Sequence, residues 1–269
     1  EKGMDVRIAI AGVGGKMGKT LIEQIALSEG LMLVGGIEQS ASHLNGRKLS
    51  ELKDSSKISG PIAGSVAGLP EFDVLIDFSI PAATLERITE CVAIDKPMVI
   101  GTTGLSADQA LRVKSASQKI PIVHAHNYSV GLTLLLDLVE RASMSLGDGA
   151  DVEIIEMHHN QKIDAPSGTA YALLDSVKAG KEQPHVIHGR QGQVGQRKKG
   201  EVGLHAVRGG DVVGEHQVIF AMSGERIELT HRAHSRANFA EGALRACRWV
   251  HQLPSPGLFD MRDVLGMRE

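Results

Sequence analysis

One fifteen-residue stretch carries most of the reactive side chains: Glu156-Met157-His158-His159-Asn160-Gln161-Lys162-Ile163-Asp164-Ala165-Pro166-Ser167-Gly168-Thr169-Ala170. Two imidazoles and an ammonium lie within five residues. Imidazole titrates near neutral pH, so either His158 or His159 can serve as a general acid, and Lys162 adds a cation and a second proton donor. Pro166 and Gly168 bracket a helix start that Ser167 is placed to cap. The backbone N–H groups of Gly168 and Thr169 at that start would face an anion such as a substrate carboxylate. A metal is the rival use for two histidines with Asp164. However, the helical two-His zinc motif spaces its histidines by four, these are adjacent, and neither Cys91 nor Cys247 is nearby, so no metal is expected. Neither cysteine has a local His partner, which argues against a thiol nucleophile. His205, His216, His231 and His234 lack comparable company and receive no role.

A second constellation sits near the N-terminus. Gly12-Val13-Gly14-Gly15-Lys16-Met17-Gly18 joins an apolar strand to a helix, with glycines at 12, 15 and 18. Glycine permits positive φ and close approach of the backbone to a pyrophosphate. The helix that follows offers free N–H groups and the positive end of its dipole. Glu38 lies 20 positions after Gly18, at the end of the next strand, where an acid accepts hydrogen bonds from an adenosine ribose. The pattern predicts dinucleotide binding, NADH or NADPH. Met17 replaces the third glycine of the strict G-x-G-x-x-G form. Gln39 stands where an Arg could grip a 2′-phosphate, which favours NADH, although Lys16 or Lys19 could still reach that phosphate.

These residues need positioning elements, and the first half alternates strand and helix patterns. Strands are predicted over 6–11, 31–37, 73–78, 97–100 and 120–125, with helices over 16–29, 81–93 and 106–119. Strands apolar nearly throughout imply a doubly wound parallel sheet covered on both faces. Ligands of such sheets bind beyond the carboxyl ends of the strands. Those ends read Gly12, Glu38, Phe78-Ser79, Gly101-Thr102-Thr103-Gly104 and Ala125-His126-Asn127-Tyr128. After Ser129 the pattern changes. A long helix over 130–146, a strand over 151–157 and a helix over 167–179 precede strands at 202–208, 212–221 and 225–231, then a final helix over 236–251. Three strands without a long helix between them imply a mixed or antiparallel sheet. Residues 180–201 read as a solvated loop, or, through Arg197-Lys198-Lys199, as an anion-gathering lid.

Composition narrows the class. Apolar residues at 42% and charged residues at 23% suit a globular core. A net charge of −3 argues against a general nucleic-acid binder, and 3% aromatics against a base-stacking platform. Two cysteines suit a reducing compartment. With no apolar run of about 18 residues and no signal-peptide core, the expectation is a cytoplasmic protein without membrane contact. Met4 reads as the natural start, preceded by three added residues.

Along its full length the chain resembles the 4-hydroxy-tetrahydrodipicolinate reductase family, formerly called dihydrodipicolinate reductases. The resemblance rests on the 12–18 cradle, Asp77-Phe78-Ser79, Val99 to Gly104, Asn127 to Gly131, His158 to Thr169, Gly209 to His216 and Gly257 to Leu265. It implies a Rossmann-type domain over 4–129, to which 241–269 returns, and an α+β substrate and oligomerisation domain with a mixed sheet over 130–240. It implies that Gly12, Val13, Gly14, Gly15, Lys16, Met17, Glu38, Gly101, Thr102, Thr103, Ala125, His126, Asn127 and Tyr128 contact NADH or NADPH. His158 becomes the acid/base and Lys162 the proton donor or charge stabiliser. His159, Gly168 and Thr169 bind a small cyclic dicarboxylate, and the assembly is a homotetramer. Many members carry a basic residue after the ribose acid; Gln39 departs from that. The implied reaction belongs to lysine and diaminopimelate synthesis, with domain closure expected to exclude water. The competing readings are another two-domain nicotinamide dehydrogenase and a non-catalytic dinucleotide-binding module.

Overall fold

The computed structural model describes residues 5–268, so the expected start at Met4 lies outside the described residues. Two compact units form. One runs to Val130 and resumes at Ala237; the other is Gly131–Arg236.

The first unit begins β1 (Val6–Ala11), α1 (Lys16–Leu27), β2 (Leu31–Ile37), β3 (Ile62–Ala63), β4 (Val74–Asp77), α2 (Pro81–Ala93), β5 (Met98–Ile100), α3 (Ala107–Ala116) and β6 (Pro121–His124). Successive side chains of a strand point to opposite faces, and β1 shows why both must be apolar. Ile8 and Ile10 pack on one side with Leu21, Ile25 and Leu31, whereas Ala9 and Ala11 pack on the other with Leu75, Ile88 and Val113. Pro81 opens α2 at its first turn, where no N–H is missed. Ser106 and Gln109 cap α3 reciprocally. Gly30, φ +71°, turns the chain from the end of α1 into β2. Residues 38–61 carry no periodic signal, and the short β3 beyond them is an edge strand that the sequence pattern leaves unassigned.

The second unit holds α4 (Val130–Leu146, its first residue in the other unit), β7 (Asp151–His158), α5 (Gly168–Lys178), β8 (His185–Ile187), β9 (Glu201–Arg208), β10 (Gly214–Met222) and β11 (Glu225–Ala233). Its sheet runs β11-β10-β7-β9-β8, antiparallel among the first three and parallel among the last three. The expected mixed sheet is therefore present, with β8 added inside the stretch read as loop. One face is apolar: Val152, Ile154, Val202, Leu204, Val218 and Phe220 pack with Leu132, Leu135, Leu173 and Val177 from α4 and α5.

The chain then forms α6 (Ala237–His251), β12 (Gly257–Phe259) and α7 (Met261–Val264) in the first unit. There β12 pairs in parallel with β6, giving the seven-stranded order β12-β6-β5-β4-β1-β2-β3. Helix α6 buries Ala240, Ala243, Leu244 and Cys247 in the core around Ile8 and Ile10. It runs unbroken from Ala237, so the second crossing between units precedes it instead of falling inside it at 240/241.

Candidate active site

The glycine cradle is built as its spacing demands. Gly12 takes φ +78°, and a Cβ there would meet Phe78 O at 2.7 Å. A Cβ on Gly18, inside the first turn of α1, would stand 2.3 Å from Gly12 O and 2.5 Å from Val13 O. The third glycine thus lets the helix seat directly on the loop. Gly15 N–H donates to Gly12 O at 3.0 Å, closing the turn. Gly14 N–H donates to Glu38 Oε1 at 2.6 Å, so the acid at the end of β2 holds the cradle as well as facing the cleft. The cleft, about 810 Å³, is lined by Gly12, Gly14, Gly15, Glu38, Gln39 and Ser79 among others. Bare backbone at a helix start beside a carboxylate fits a dinucleotide.

The remaining residues expected on the dinucleotide divide by exposure. Lys16, Thr103 and His126 are exposed, and Met17, Gly101 and Asn127 half-buried, whereas Val13, Thr102, Ala125 and Tyr128 are buried. The Tyr128 ring lies 5.6 Å from Phe78, and its hydroxyl donates to Ile100 O and Val123 O, at 2.8 and 3.1 Å. It fastens the ends of β5 and β6 and presents no side-chain surface. A Cβ at Gly101 would overlap the Phe78 ring at 2.1 Å. Thr102 sits in a buried cluster: Thr84 Oγ1 donates to Thr102 Oγ1 at 2.8 Å, and Ser79 Oγ to Asp77 Oδ1 at 2.5 Å. Burial pushes the Asp77 carboxyl up, against the hydrogen bonds from Ser79 and Thr84. Sequence reading quoted Asp77 only as part of a motif; an acid at the end of an otherwise apolar strand was the available signal.

In the second unit, the period of two along β7 puts Glu156 and His158 on the helix-covered face. His158 Nδ1 lies 2.6 Å from Glu156 Oε2, with the His158 side chain 12% exposed and Glu156 at 0%. Glu156 also accepts from Arg208 Nη1 and Nη2, at 2.9 and 3.0 Å, and from Ser167 N at 3.0 Å. Burial pushes Glu156 up, but hydrogen bonds from Arg208, His158 and Ser167 outweigh it and hold the carboxyl below its ordinary range. His216, opposite Glu156 on β10, is buried and edge-on to His158 with ring centres 5.2 Å apart. Burial, then the neighbouring His158, depresses it to about 4, so it is uncharged at neutral pH.

Ser167 caps α5, accepting from Ala170 N at 3.2 Å. Gly168 is exposed and a Cβ there would meet nothing within 4 Å, which leaves the helix start open to a ligand. Lys162 Nζ sits 2.8 and 2.9 Å from the two oxygens of Asp164. The hydrogen bond from Lys162 lowers the Asp164 carboxyl. Asp164 therefore faces the ammonium, and among the described residues no group of three or more His, Cys, Asp or Glu is arranged to hold a metal. The His158–Thr169 segment thus brings together an imidazole held through one ring nitrogen, an ammonium and an open helix start. Sequence reading missed Arg208 and His216, which reach it from β9 and β10; only strand pairing brings them there.

The lid reading of 180–201 is corrected in part. Arg197, the first of the Arg197-Lys198-Lys199 run, donates to Glu153 Oε1, to Val152 O at 2.9 Å and to Glu201 O at 2.6 Å. Arg190 reaches Glu153 at 2.9 Å. These arginines staple the segment to the sheet, and Arg197 is spent on a carboxylate instead of gathering anions. Both cysteines are buried, and burial pushes each thiol up.

Comparison with known proteins bears on both units. The family model for the N-terminal part of dihydrodipicolinate reductase matches residues 6–128, and that for the C-terminal part matches 131–265. The 4-hydroxy-tetrahydrodipicolinate reductase of Thiobacillus denitrificans is 44% identical over 98% of this chain and 100% of its own length. That of Pseudomonas fluorescens is 45% identical over 97% and 99%. Among solved structures, dipicolinate-bound dihydrodipicolinate reductase from Paenisporosarcina sp. TG-14 aligns with a TM-score of 0.77 and 26% identity, over 96% of this chain and 98% of that one. With both halves matched and relatives similar from end to end, the chain belongs to the dihydrodipicolinate reductase family.

Proposed function

We propose that this oxidoreductase reduces 4-hydroxy-tetrahydrodipicolinate to tetrahydrodipicolinate, within diaminopimelate and lysine synthesis, with NADH or NADPH as reductant. The balance is one hydride and one proton in, one water out. The bound dinucleotide supplies the hydride. The chain's own residues hold the reactants and manage the proton. The 12–18 cradle and Glu38 take the dinucleotide, with Gly101, Thr103 and residues 125–127 at the neighbouring strand ends; Val13, Thr102 and Tyr128 support it from below. Gly168 and Thr169 offer N–H groups to a substrate carboxylate, and His159 and Lys162 add polar contacts and charge. The dipicolinate named with the Paenisporosarcina protein is a small cyclic dicarboxylate, and two carboxylates suit a helix start beside an ammonium. His158 gives the proton. Its ring is anchored through one nitrogen, so the other is available to a substrate.

The observation that carries this reading is the Glu156–His158 pair, 2.6 Å apart, on the same side of the sheet as the open start of α5. The homotetramer is proposed to form on the sheet face away from α4 and α5, where Ile155, Met157 and Ile219 are only half-buried and Val207 is exposed. A cytoplasmic location is proposed alongside; no helix among the described residues is long and apolar enough to cross a membrane.

The test mixes protein, NADH or NADPH and enzymatically generated substrate, and follows the nicotinamide absorbance. Turnover is expected, and His158→Ala should lower kcat by about 10²–10⁴-fold, the usual contribution of a positioned acid. Dinucleotide binding without turnover would overturn the reading in favour of a binding module, and oxidation of a different hydroxy substrate in favour of another dehydrogenase.

A further inference from the structure

We propose that Glu156 is a positioning residue: it fixes which ring nitrogen of His158 carries the permanent proton, and it ties that ring to the start of helix α5. The inference rests on the reading of His158 as the acid.

A carboxylate wholly removed from water is retained only with full compensation. Glu156 has it. Oε1 accepts from Ser167 N and Arg208 Nη2, and Oε2 accepts from Arg208 Nη1 and His158 Nδ1. Arginine and backbone N–H groups can only donate, so the carboxylate is the ionised acceptor and His158 Nδ1 must carry the hydrogen. Nε2 is thereby left as the atom that exchanges a proton. The fold keeps that side clear: a Cβ at Gly214 would lie 3.1 Å from His158 Nε2, and Gly214 has none. A proton leaving Nε2 produces the Nδ1–H tautomer that Glu156 already holds, so no ring flip is required during turnover.

Other charged or titratable groups close by are Arg208 from β9, His216 from β10 with His231 of β11 beyond it, and His159, Lys162 and Asp164, which follow β7. Arg208 is spent on Glu156 and also donates to Asp164 O at 2.6 Å. His216 is uncharged at neutral pH and lies 3.3 Å from Ser167 Oγ. His216 touches the same two residues, by ring contact to His158 and through the Ser167 hydroxyl, whereas Glu156 hydrogen-bonds both the His158 ring and the Ser167 backbone N–H, so one carboxylate sets the donor and the helix start in register.

Glu156→Gln discriminates this from a packing role. Its amide oxygen can replace Oε1, keeping Ser167 and Arg208 Nη2. The NH₂ group then replaces Oε2: Arg208 Nη1 loses its acceptor there and turns away, and His158 Nδ1, now facing a donor, must become an acceptor. The tautomer inverts, and Nε2 now holds the permanent hydrogen. Nitrogen-15 NMR of the His158 ring, assigned by its loss in His158→Ala, should show Nδ1–H in the neutral wild-type ring and Nε2–H in the variant. The variant's kcat should fall toward the roughly 10²–10⁴-fold loss of a missing acid, with KM for substrate changed far less. An Nε2–H tautomer in the wild-type protein overturns the proposal without need of any variant. So does a Glu156→Gln enzyme with unchanged tautomer and kcat. If the tautomers behave as described while His158→Ala retains full activity, the positioning by Glu156 stands and the catalytic reading of His158 fails.

Discussion

Gly18→Ala tests whether close seating of α1 on its loop is what binds the dinucleotide. The added Cβ would lie 2.3 Å from Gly12 O, 2.5 Å from Val13 O and 2.7 Å from Val13 C. All three are backbone atoms, and Cβ contacts under 3.0 Å essentially do not occur. Helix and loop must therefore part by about 0.7 Å, the difference between 2.3 and 3.0 Å. Both partners are cradle: Gly12 and Val13 form the turn, and α1 supplies the N–H groups. Misplacement approaching 1 Å costs on the order of 10²-fold in a positioned site, or about 2.7 kcal/mol. Alanine's better helix propensity returns at most about 1 kcal/mol to stability, so the protein should remain folded. Gly15→Ala is the graded control. Its Cβ meets only Gly12 O, at 3.2 Å, and its φ of −70° suits any residue, so a small shift suffices and the loss should be under about tenfold, roughly 1.4 kcal/mol. Fluorescence titration with NADH and NADPH measures both affinities, and circular dichroism melting checks the fold. Equal affinities for a folded Gly18→Ala and Gly15→Ala would refute the reasoning, because of the two only the Gly18 Cβ meets backbone closer than 3.0 Å.

Two further predictions concern charge. Gln39 lines the cleft beside Glu38, so Gln39→Arg places a guanidinium where a 2′-phosphate would lie; a charge-assisted hydrogen bond of about 1.5–3 kcal/mol should raise the NADPH-to-NADH ratio of kcat/KM by tenfold or more, and an unchanged ratio would mean the phosphate is bound elsewhere. Burial pushes Glu153 up, but hydrogen bonds from Arg190, His205 and Arg197 bring it from the ordinary 4.5 down to about 2. A carboxyl depressed in the folded state stabilises fully above its unfolded value, and that contribution, at most about 3 kcal/mol, disappears as pH falls from about 4.5 toward 2. The gap in urea midpoint between wild type and Glu153→Gln should therefore close over that interval, and a gap independent of pH would show that Glu153 acts by packing alone.

Much of the first unit was legible because its signals are local. A two-sided apolar strand such as Val6–Ala11 admits few environments, and Gly12 and Gly18 mark where backbone must stay bare. Pro81, Ser106 and Ser167 announce helix starts through their own chemistry, and each stands at one. The stretch over 38–72 was not legible, since a two-residue edge strand has no period to read. Nor were β8 and β12, three residues each, whose existence depends on a neighbouring strand supplying hydrogen bonds.

The sequence by itself determined which side chains could do chemistry, because His158, Lys162 and Thr169 lie within twelve residues of one another and the cradle within seven. Tertiary structure alone decided what surrounds them. Arg208 and His216 lie 52 and 60 residues from Glu156; pairing of β9 with β7 brings Arg208 to the site, and pairing of β10 with β7 brings His216. The same holds for Arg197, a free cation by sequence and a partner of Glu153 in the fold. Which ring nitrogen of His158 is anchored, and which cation is already paired, are properties of contacts between distant segments, and no local pattern of residues encodes them.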